Sequence, residues 1–394
     1  MTNNAKGFAL FNMAFRPFFL GAVVSSIVSV VTWALIYIYN GEISSHGLSA
    51  SVWHVHEMLF GYTMAIITGF LLTAIVNWTG LQTITGWPLA LLFLCWFMGR
   101  FFLYMPDLAP LWLVALIDNL FLLGVLLAAA VPVFKSGQKN HFGLLLALAA
   151  IFISGVLFYL GVANVLSEGV RIGWYTALYA ILMIIFIIAR RVIPFFIKTS
   201  LGEEVNPVNR LWLDIAIIVV LLSVWVSELF FSERIIGAIC TLTLACLCSL
   251  HLVDWYHKKI WSKPLLWVLY LGYCFICLGF ALSSGVYFLE FIPSIATHAL
   301  TYGGIGMITL GMMSRVILGH TGRDVANPPH SLSWIFLLFA AGAIIRFVGP
   351  LLLAGHYIVW IMLASATIWV VSMLWFLAIY FSPLVRPRLD GKPG

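Results

Sequence analysis

Histidine and glutamate residues stand at the start of two long apolar stretches of the chain. The first stretch opens with the sequence WHVHE at 53–57, and the second opens with HALTY at 298–302. Imidazole is the side chain that most often binds metals, and an ionisable side chain inside a bilayer is costly unless it is paired. We therefore predict a metal or haem centre inside a membrane protein, with His54, His56 and His298 as its metal ligands.

The spacing of the first two histidines predicts different roles for them. Residues two apart are separated by about 200° around an α-helix, so His54 and His56 face opposite sides unless the first turn is irregular. We predict that His56 and His298 bind haem together, and that His54 contributes to a separate copper or proton site. Glu57 could orient an imidazole, complete a coordination sphere or carry a proton, or it could only complement the helix dipole.

Acidic residues inside other apolar stretches are candidates for proton transfer. An isolated carboxylate in lipid is expensive, so each should face the interior and find a partner or a water path. Asp118, next to Asn119, is the best such candidate in the outer half of the membrane, and we predict Glu57 and Asp118 as the catalytic proton carriers. Asp214 and Asp254 lie close to a cytoplasmic boundary, where solvation at the interface suffices for them.

A second group of candidate residues closes the stretch that His298 opens. The sequence LGMMSRVILGHTGR occupies 310–323. Here one of the two arginines, Arg315 or Arg323, is predicted to pair with haem propionates, and His320 to act as a second ligand or a proton-handling residue. The alternative for Arg315 is an anchor at the cytoplasmic surface.

The elements that must position these residues are membrane-spanning helices. Of the 394 residues, 63% are hydrophobic and only 9% are charged, which is more apolar surface than a soluble core could bury. Runs near the roughly 20 residues that a spanning helix needs predict an all-α bundle of twelve transmembrane helices in a single domain over 1–394. The runs are 17–39, 53–78, 87–105, 109–134, 142–164, 172–197, 210–231, 235–256, 264–285, 295–318, 332–353 and 357–381.

The basic residues predict the orientation of the bundle. Assigned by loop, sixteen of the twenty lysines and arginines fall on one side, and Arg100, Arg171 and Arg234 fall on the other. This bias predicts that both termini are cytoplasmic and that the three histidines lie at similar depth near the outer surface. The net charge of +6 is therefore a topology signal and does not indicate nucleic-acid binding.

Several blocks of the sequence resemble the NnrS family, and together they span the whole chain. They are FRPFF at 15–19, HVHEMLFG at 54–61, GFLLTA at 69–74, WTG at 78–80, RVIPFF at 191–196, HALT at 298–301 and the segment 315–323. The resemblance implies a protein of the bacterial inner membrane that holds haem and copper and is associated with nitric oxide, denitrification and resistance to nitrosative stress. The matching site positions are His54, His56, Glu57, His298, Arg315 and His320.

Three classes of function remain open at this point. The first is a redox protein that binds or reduces nitric oxide, with electrons from a quinol or a cytochrome. The second is a transporter of a metal, haem or small solute, and the third is a sensor or assembly factor without turnover. The chain has no C-x-x-C-H sequence, so any haem would be held non-covalently. The cofactors predicted are haem b and copper. It also has no Walker A sequence, which argues against ATP as an energy source.

Overall fold

A computed structural model of the chain describes residues 9–39, 46–202, 204–230, 234–353 and 357–392. These residues form helices and no strand, and twelve of the helices are long and apolar enough to cross a membrane. The prediction of an all-α, multi-pass membrane protein is thereby confirmed, while its orientation stays a prediction. The helices are α1 (Phe15–Tyr39), α2 (Ala50–Thr79), α3 (Trp87–Tyr104), α4 (Leu111–Ser136), α5 (Lys139–Val162), α6 (Gly169–Leu201), α7 (Leu211–Phe230), α8 (Ile235–Trp255), α9 (Pro264–Phe288), α10 (Pro293–His320), α11 (Ser331–Leu352) and α12 (Tyr357–Val385).

The chain divides into two compact units. The first unit comprises residues 1–181, 315–325 and 373–394, and the second comprises 182–314 and 326–372. The single transmembrane domain expected from the sequence stays a prediction.

Close packing on α1 organises the first unit. A Cβ atom at Gly69 of α2 would lie 2.9 Å from the Phe19 ring of α1, so glycine is what lets these two helices approach. The amide of Phe15 donates to Thr73 Oγ1 at 3.2 Å. The buried Arg16 guanidinium donates to the carbonyl oxygens of residues 383, 384 and 386 at 3.1, 3.0 and 2.8 Å, which ties the start of α1 to the end of α12.

Both helices that carry the predicted ligands contain a π-helical segment directly after the histidine. In α2 the segment is Glu57–Thr63, and in α10 it is Ala299–Gly306. The wider turn of a π-helix is rare and occurs frequently at functional sites. The part of α2 that holds His54 and His56, Ala50–His56, is regular α-helix, so the irregularity begins one residue after His56.

Candidate functional site

Five side chains with titratable or charged groups meet inside the first unit. His56 and Glu57 come from α2, Arg100 from α3, Asp118 from α4 and Tyr159 from α5. Their exposed fractions are 1%, 0%, 4%, 3% and 5%. We call these five residues the His56 network. Such a group lies within membrane-spanning helices only if its members satisfy one another.

Arg100 holds the two carboxylates of the network together. Its Nε donates to Glu57 Oε1 at 3.0 Å, and its Nη2 donates to Asp118 Oδ1 and Oδ2 at 2.6 and 2.5 Å. Hydrogen bonds between two charged groups are roughly twice as strong as neutral ones. Asp118 thus has the interior partner that the sequence predicted, and the same guanidinium also binds Glu57.

On the other side of the network, Tyr159 and His56 both contact Asp118 Oδ2. Tyr159 Oη donates to Asp118 Oδ2 at 2.5 Å and lies 3.1 Å from His56 Nε2. His56 Nε2 also lies 3.2 Å from Asp118 Oδ2, and Nδ1 lies 3.1 Å from Glu57 Oε1. Both ring nitrogens therefore face hydrogen-bond acceptors.

The charges leave room for one additional proton. Two carboxylates and one guanidinium sum to −1, so a proton on His56 or on a carboxylate makes the buried network neutral. Glu57 Oε2 is buried and has no hydrogen-bond partner among the described residues, which offers a second place for this proton. An unbalanced charge is costly in an apolar interior, so the neutral form of the network carries one such proton.

Glycines and the π-helical segment make space for Arg100. A Cβ atom at Gly99 would lie 2.1 Å from Asp118 Oδ1, and one at Gly61 would lie 3.1 Å from Arg100 Cδ. In the π-helical segment, the carbonyl of Gly61 accepts from Trp96 Nε1 at 3.0 Å. The local backbone of α2 is thus matched to the side chains of α3.

An apolar pocket of about 450 Å³ lies beside the network, between α4 and α5. Its lining is apolar except for Asn119 and Tyr159, and Trp112 and Leu116 at its edge are exposed. Exposed apolar side chains on spanning helices contact lipid. The pocket therefore connects the lipid-facing surface of this unit with the ring of Tyr159.

The haem and copper implied by the resemblance need a nitrogen lone pair, and the predicted ligands differ in how they provide one. Both nitrogens of His56 face Glu57, Tyr159 and Asp118, so as arranged His56 does not fit a metal ligand. Coordination would require its ring to leave one set of partners. The role of His56 as a ligand stays a prediction, and it requires this movement of the ring.

The other two predicted ligands have different surroundings. The ring of His54 packs at 4.8 Å from that of Trp33, away from the His56 network, as the angular separation predicted. His298 Nδ1 lies 2.6 Å from the carbonyl of Ser294, which places the proton on Nδ1 and the lone pair on Nε2. A metal-binding histidine typically donates its other ring N–H to a carbonyl or carboxylate in this way, so His298 fits the role of a metal ligand. Its sharing of a centre with His56 stays a prediction.

Arg315 and His320 lie in the last turns of α10. The ring of His320 lies 5.7 Å from that of Phe15, and its carbonyl accepts from Arg388 Nη1 at 3.0 Å. Arg315 is half-buried. Neither contact tests the predicted roles toward haem. Within the described residues, no three histidine, cysteine, aspartate or glutamate side chains are grouped as a metal ion would require.

Two residues of the His56 network, Arg100 and Tyr159, were not predicted from the sequence. The assignment of Arg100 to the outer surface, as a topology signal, is wrong, because its side chain is buried within α3 and bound to two carboxylates. The signal was present in the sequence. Arg100 and Asp118 lie within consecutive predicted spans joined by a short turn, so the two charges could have been paired by depth.

Comparison with known proteins adds one finding. The family model described as NnrS protein matches residues 9–388 of the chain. All the sequence blocks noted above lie within the matched residues. A search among curated proteins finds none that matches the chain.

Proposed function

The chain belongs to the NnrS family, and we propose that it acts on nitric oxide in the bacterial inner membrane. Membership of this family supports a membrane protein that is associated with the nitric oxide response. In this proposal the protein reduces nitric oxide, and the His56 network supplies protons to that reaction. The observation that carries the proposal is the burial of two carboxylates, a guanidinium, an imidazole and a phenol in one hydrogen-bonded group.

The composition of the network favours a chemical role over a stabilising one. A buried ion pair is weak evidence for stability, because well-packed apolar side chains of similar volume stabilise a protein at least as well. Intramembrane ionisable groups that are linked by hydrogen bonds are typical of proton relays. The network is neutral with one added proton and anionic without it, which suits a group that gains and loses a proton.

The chemistry of nitric oxide gives this proton a use. Reduction of two nitric oxide molecules to nitrous oxide and water consumes two electrons and two protons. Nitric oxide is small and apolar, so it dissolves in lipid, and the apolar pocket beside Tyr159 offers it a route into the first unit. Protons cannot cross lipid in this way and must be delivered by side chains such as those of the His56 network.

We propose haem b and copper as cofactors and a quinol or a cytochrome as the electron donor. When bound, a haem or copper centre would supply the nitric oxide binding site and the electrons. His298 is the best-suited ligand because its Nδ1 is held by the Ser294 carbonyl. His54 is the candidate for copper, and Arg315 and His320 remain the candidates for the propionates and a second ligand.

The test is nitric oxide consumption by the purified protein in lipid nanodiscs with a reduced quinol. Optical spectra of the protein as isolated, after dithionite and after nitric oxide report the cofactors independently of turnover. Glu57→Gln and Tyr159→Phe are expected to lower the rate at least tenfold with the cofactor spectra unchanged. Glu168→Gln is the matched control, since Glu168 pairs with Arg171 in an exposed ion pair.

The outcomes separate the three classes of function. Nitric oxide binding without consumption would contradict reduction and favour a sensor. A protein without a nitric oxide-sensitive spectrum would refute the proposal and leave the transporter. Equal rates in all three variants would mean that the His56 network does not deliver the protons.

A further inference from the structure

A second buried group of similar composition lies in the other unit. His251 of α8 lies between Tyr273 of α9 and Asp214 of α7. Its Nδ1 is 2.9 Å from Tyr273 Oη, and its Nε2 is 3.2 Å from Asp214 Oδ1. The exposed fractions of His251, Asp214 and Tyr273 are 3%, 6% and 0%. Arg190 of α6 reaches Asp214 Oδ2 at 3.3 Å.

The burial of Asp214 corrects the sequence interpretation. Solvation at the membrane interface was expected to suffice for this carboxylate, yet it is enclosed by protein. Both of its oxygens have cationic or ionisable neighbours at ion-pair distance, but neither accepts a well-directed hydrogen bond from the described residues. A buried carboxylate that accepts no directed hydrogen bond is costly. A neighbouring group that gains a proton and donates to this carboxylate would reduce that cost.

Asp214 and His251 lie about one turn from helix ends that the basic residues predict to face the cytoplasm. Asp214 is in the first turn of α7, and His251 and Trp255 are in the last turns of α8. The loop that follows α8 carries Lys258 and Lys259. Arg190 is exposed, with 43% of its side chain accessible, so Asp214 is reached from the surface of this unit along the guanidinium while His251 stays covered.

We propose that His251 and Asp214 form a proton-binding site that exchanges a proton with the cytoplasm. With His251 neutral, Arg190 and Asp214 balance each other. A proton on the imidazole would turn the 3.2 Å contact into a charged bond to Asp214. The titratable and charged groups around His251 are Arg190 on α6, Arg210 and Asp214 at the start of α7, Cys248 and Asp254 on α8, and Tyr273 and Cys277 on α9.

The structure supplies an internal reporter for this proton. The indole of Trp255 stacks on His251 at 4.6 Å between ring centroids with an angle of 22°. A protonated imidazole quenches an adjacent excited indole more strongly than a neutral imidazole does. The chain has 16 tryptophans, so the signal of Trp255 is obtained as the difference between the protein and its Trp255→Phe variant.

The experiment is a fluorescence titration of the full-length protein in nanodiscs, without nitric oxide or electron donor. We expect one reversible quenching step as the pH falls, because a protonated His251 quenches Trp255 more strongly than a neutral His251 does. His251→Gln should abolish the step. Asp214→Asn should move it to lower pH by about one unit or more, because a nearby carboxylate stabilises an imidazolium. Glu168→Gln is the control, since it also removes one carboxylate charge, but Glu168 pairs with the exposed Arg171 and is not among the groups around His251.

Two results would overturn the proposal. One is a protein that shows no Trp255 step, and the other is a step that persists in His251→Gln. If His251→Gln does not fold, Asp214→Asn decides with His251 intact, because an unshifted step would contradict a site shared with Asp214. The readout involves neither nitric oxide nor a metal, so its failure is distinguishable from failure of the proposed function.

Discussion

Replacement of Gly99 by alanine is the sharpest test of the His56 network, because it adds one methyl group and changes no charge. The new Cβ atom would lie 2.1 Å from Asp118 Oδ1 and 2.9 Å from Asp118 Cγ. Ordinary contact begins near 3.4 Å, so the carboxylate or the whole of α3 must move by more than an ångström. Either movement breaks the bonds of Asp118 to Arg100 at 2.6 and 2.5 Å.

The magnitude follows from the opposing effects. Breaking a buried ion pair costs about 3–5 kcal/mol, because the charges stay buried without their partners. Alanine is favoured over glycine inside a helix by about 0.5–1 kcal/mol. We therefore expect Gly99→Ala to lower the free energy of unfolding by about 2–4 kcal/mol, with the ion pair dominating the helix propensity.

Gly319→Ala is the matched control in the same unit. It lies in α10, where the nearest side-chain atom to an added Cβ is Val325 Cγ2 at 3.8 Å. There is room for the methyl group, so this variant should gain about 0.5–1 kcal/mol from helix propensity alone.

The assay is reversible unfolding in mixed micelles by titration with sodium dodecyl sulfate, followed by circular dichroism. The two alanine variants should change stability in opposite directions. The deficit of Gly99→Ala should also shrink as the pH falls, because a protonated carboxyl group no longer needs the guanidinium. If Gly99→Ala is as stable as the unchanged protein, Asp118 and Arg100 do not form the pair described here.

Three further predictions concern topology and ligands. A reporter active only in the periplasm should be silent after Gly394 and active near Ser45, and activity at the carboxyl end would show that the predicted orientation is wrong. His298→Ala should lose the haem spectrum while the protein still inserts into the membrane. His56→Ala should also lose it if His56 and His298 bind the same iron. Full haem in both variants would refute the assignment of these two histidines as haem ligands. His54→Ala should lose copper and keep haem, as measured by metal analysis, and simultaneous loss of both would indicate a single centre.

The sequence by itself determined the class of protein and most of its helices. Apolar runs are local properties of the chain, and a bilayer requires every spanning backbone to satisfy its hydrogen bonds internally, so a long apolar run becomes a helix in almost any context. The opposite directions of His54 and His56 could also be predicted, because the angle between two residues on one regular helix depends only on their spacing. The family blocks were equally readable, since they are contiguous in the chain.

The tertiary structure decided the partners of the buried charges. Arg100 and Tyr159 come to Glu57, Asp118 and His56 from other helices, and helix packing sets which side chains meet. The π-helical segments were not predicted either, because an apolar run does not report a one-residue change in the hydrogen-bond ladder of a helix. Hydropathy predicts which segments enter the membrane, whereas the place of a proton within it depends on distances of a few ångströms between segments far apart in the chain.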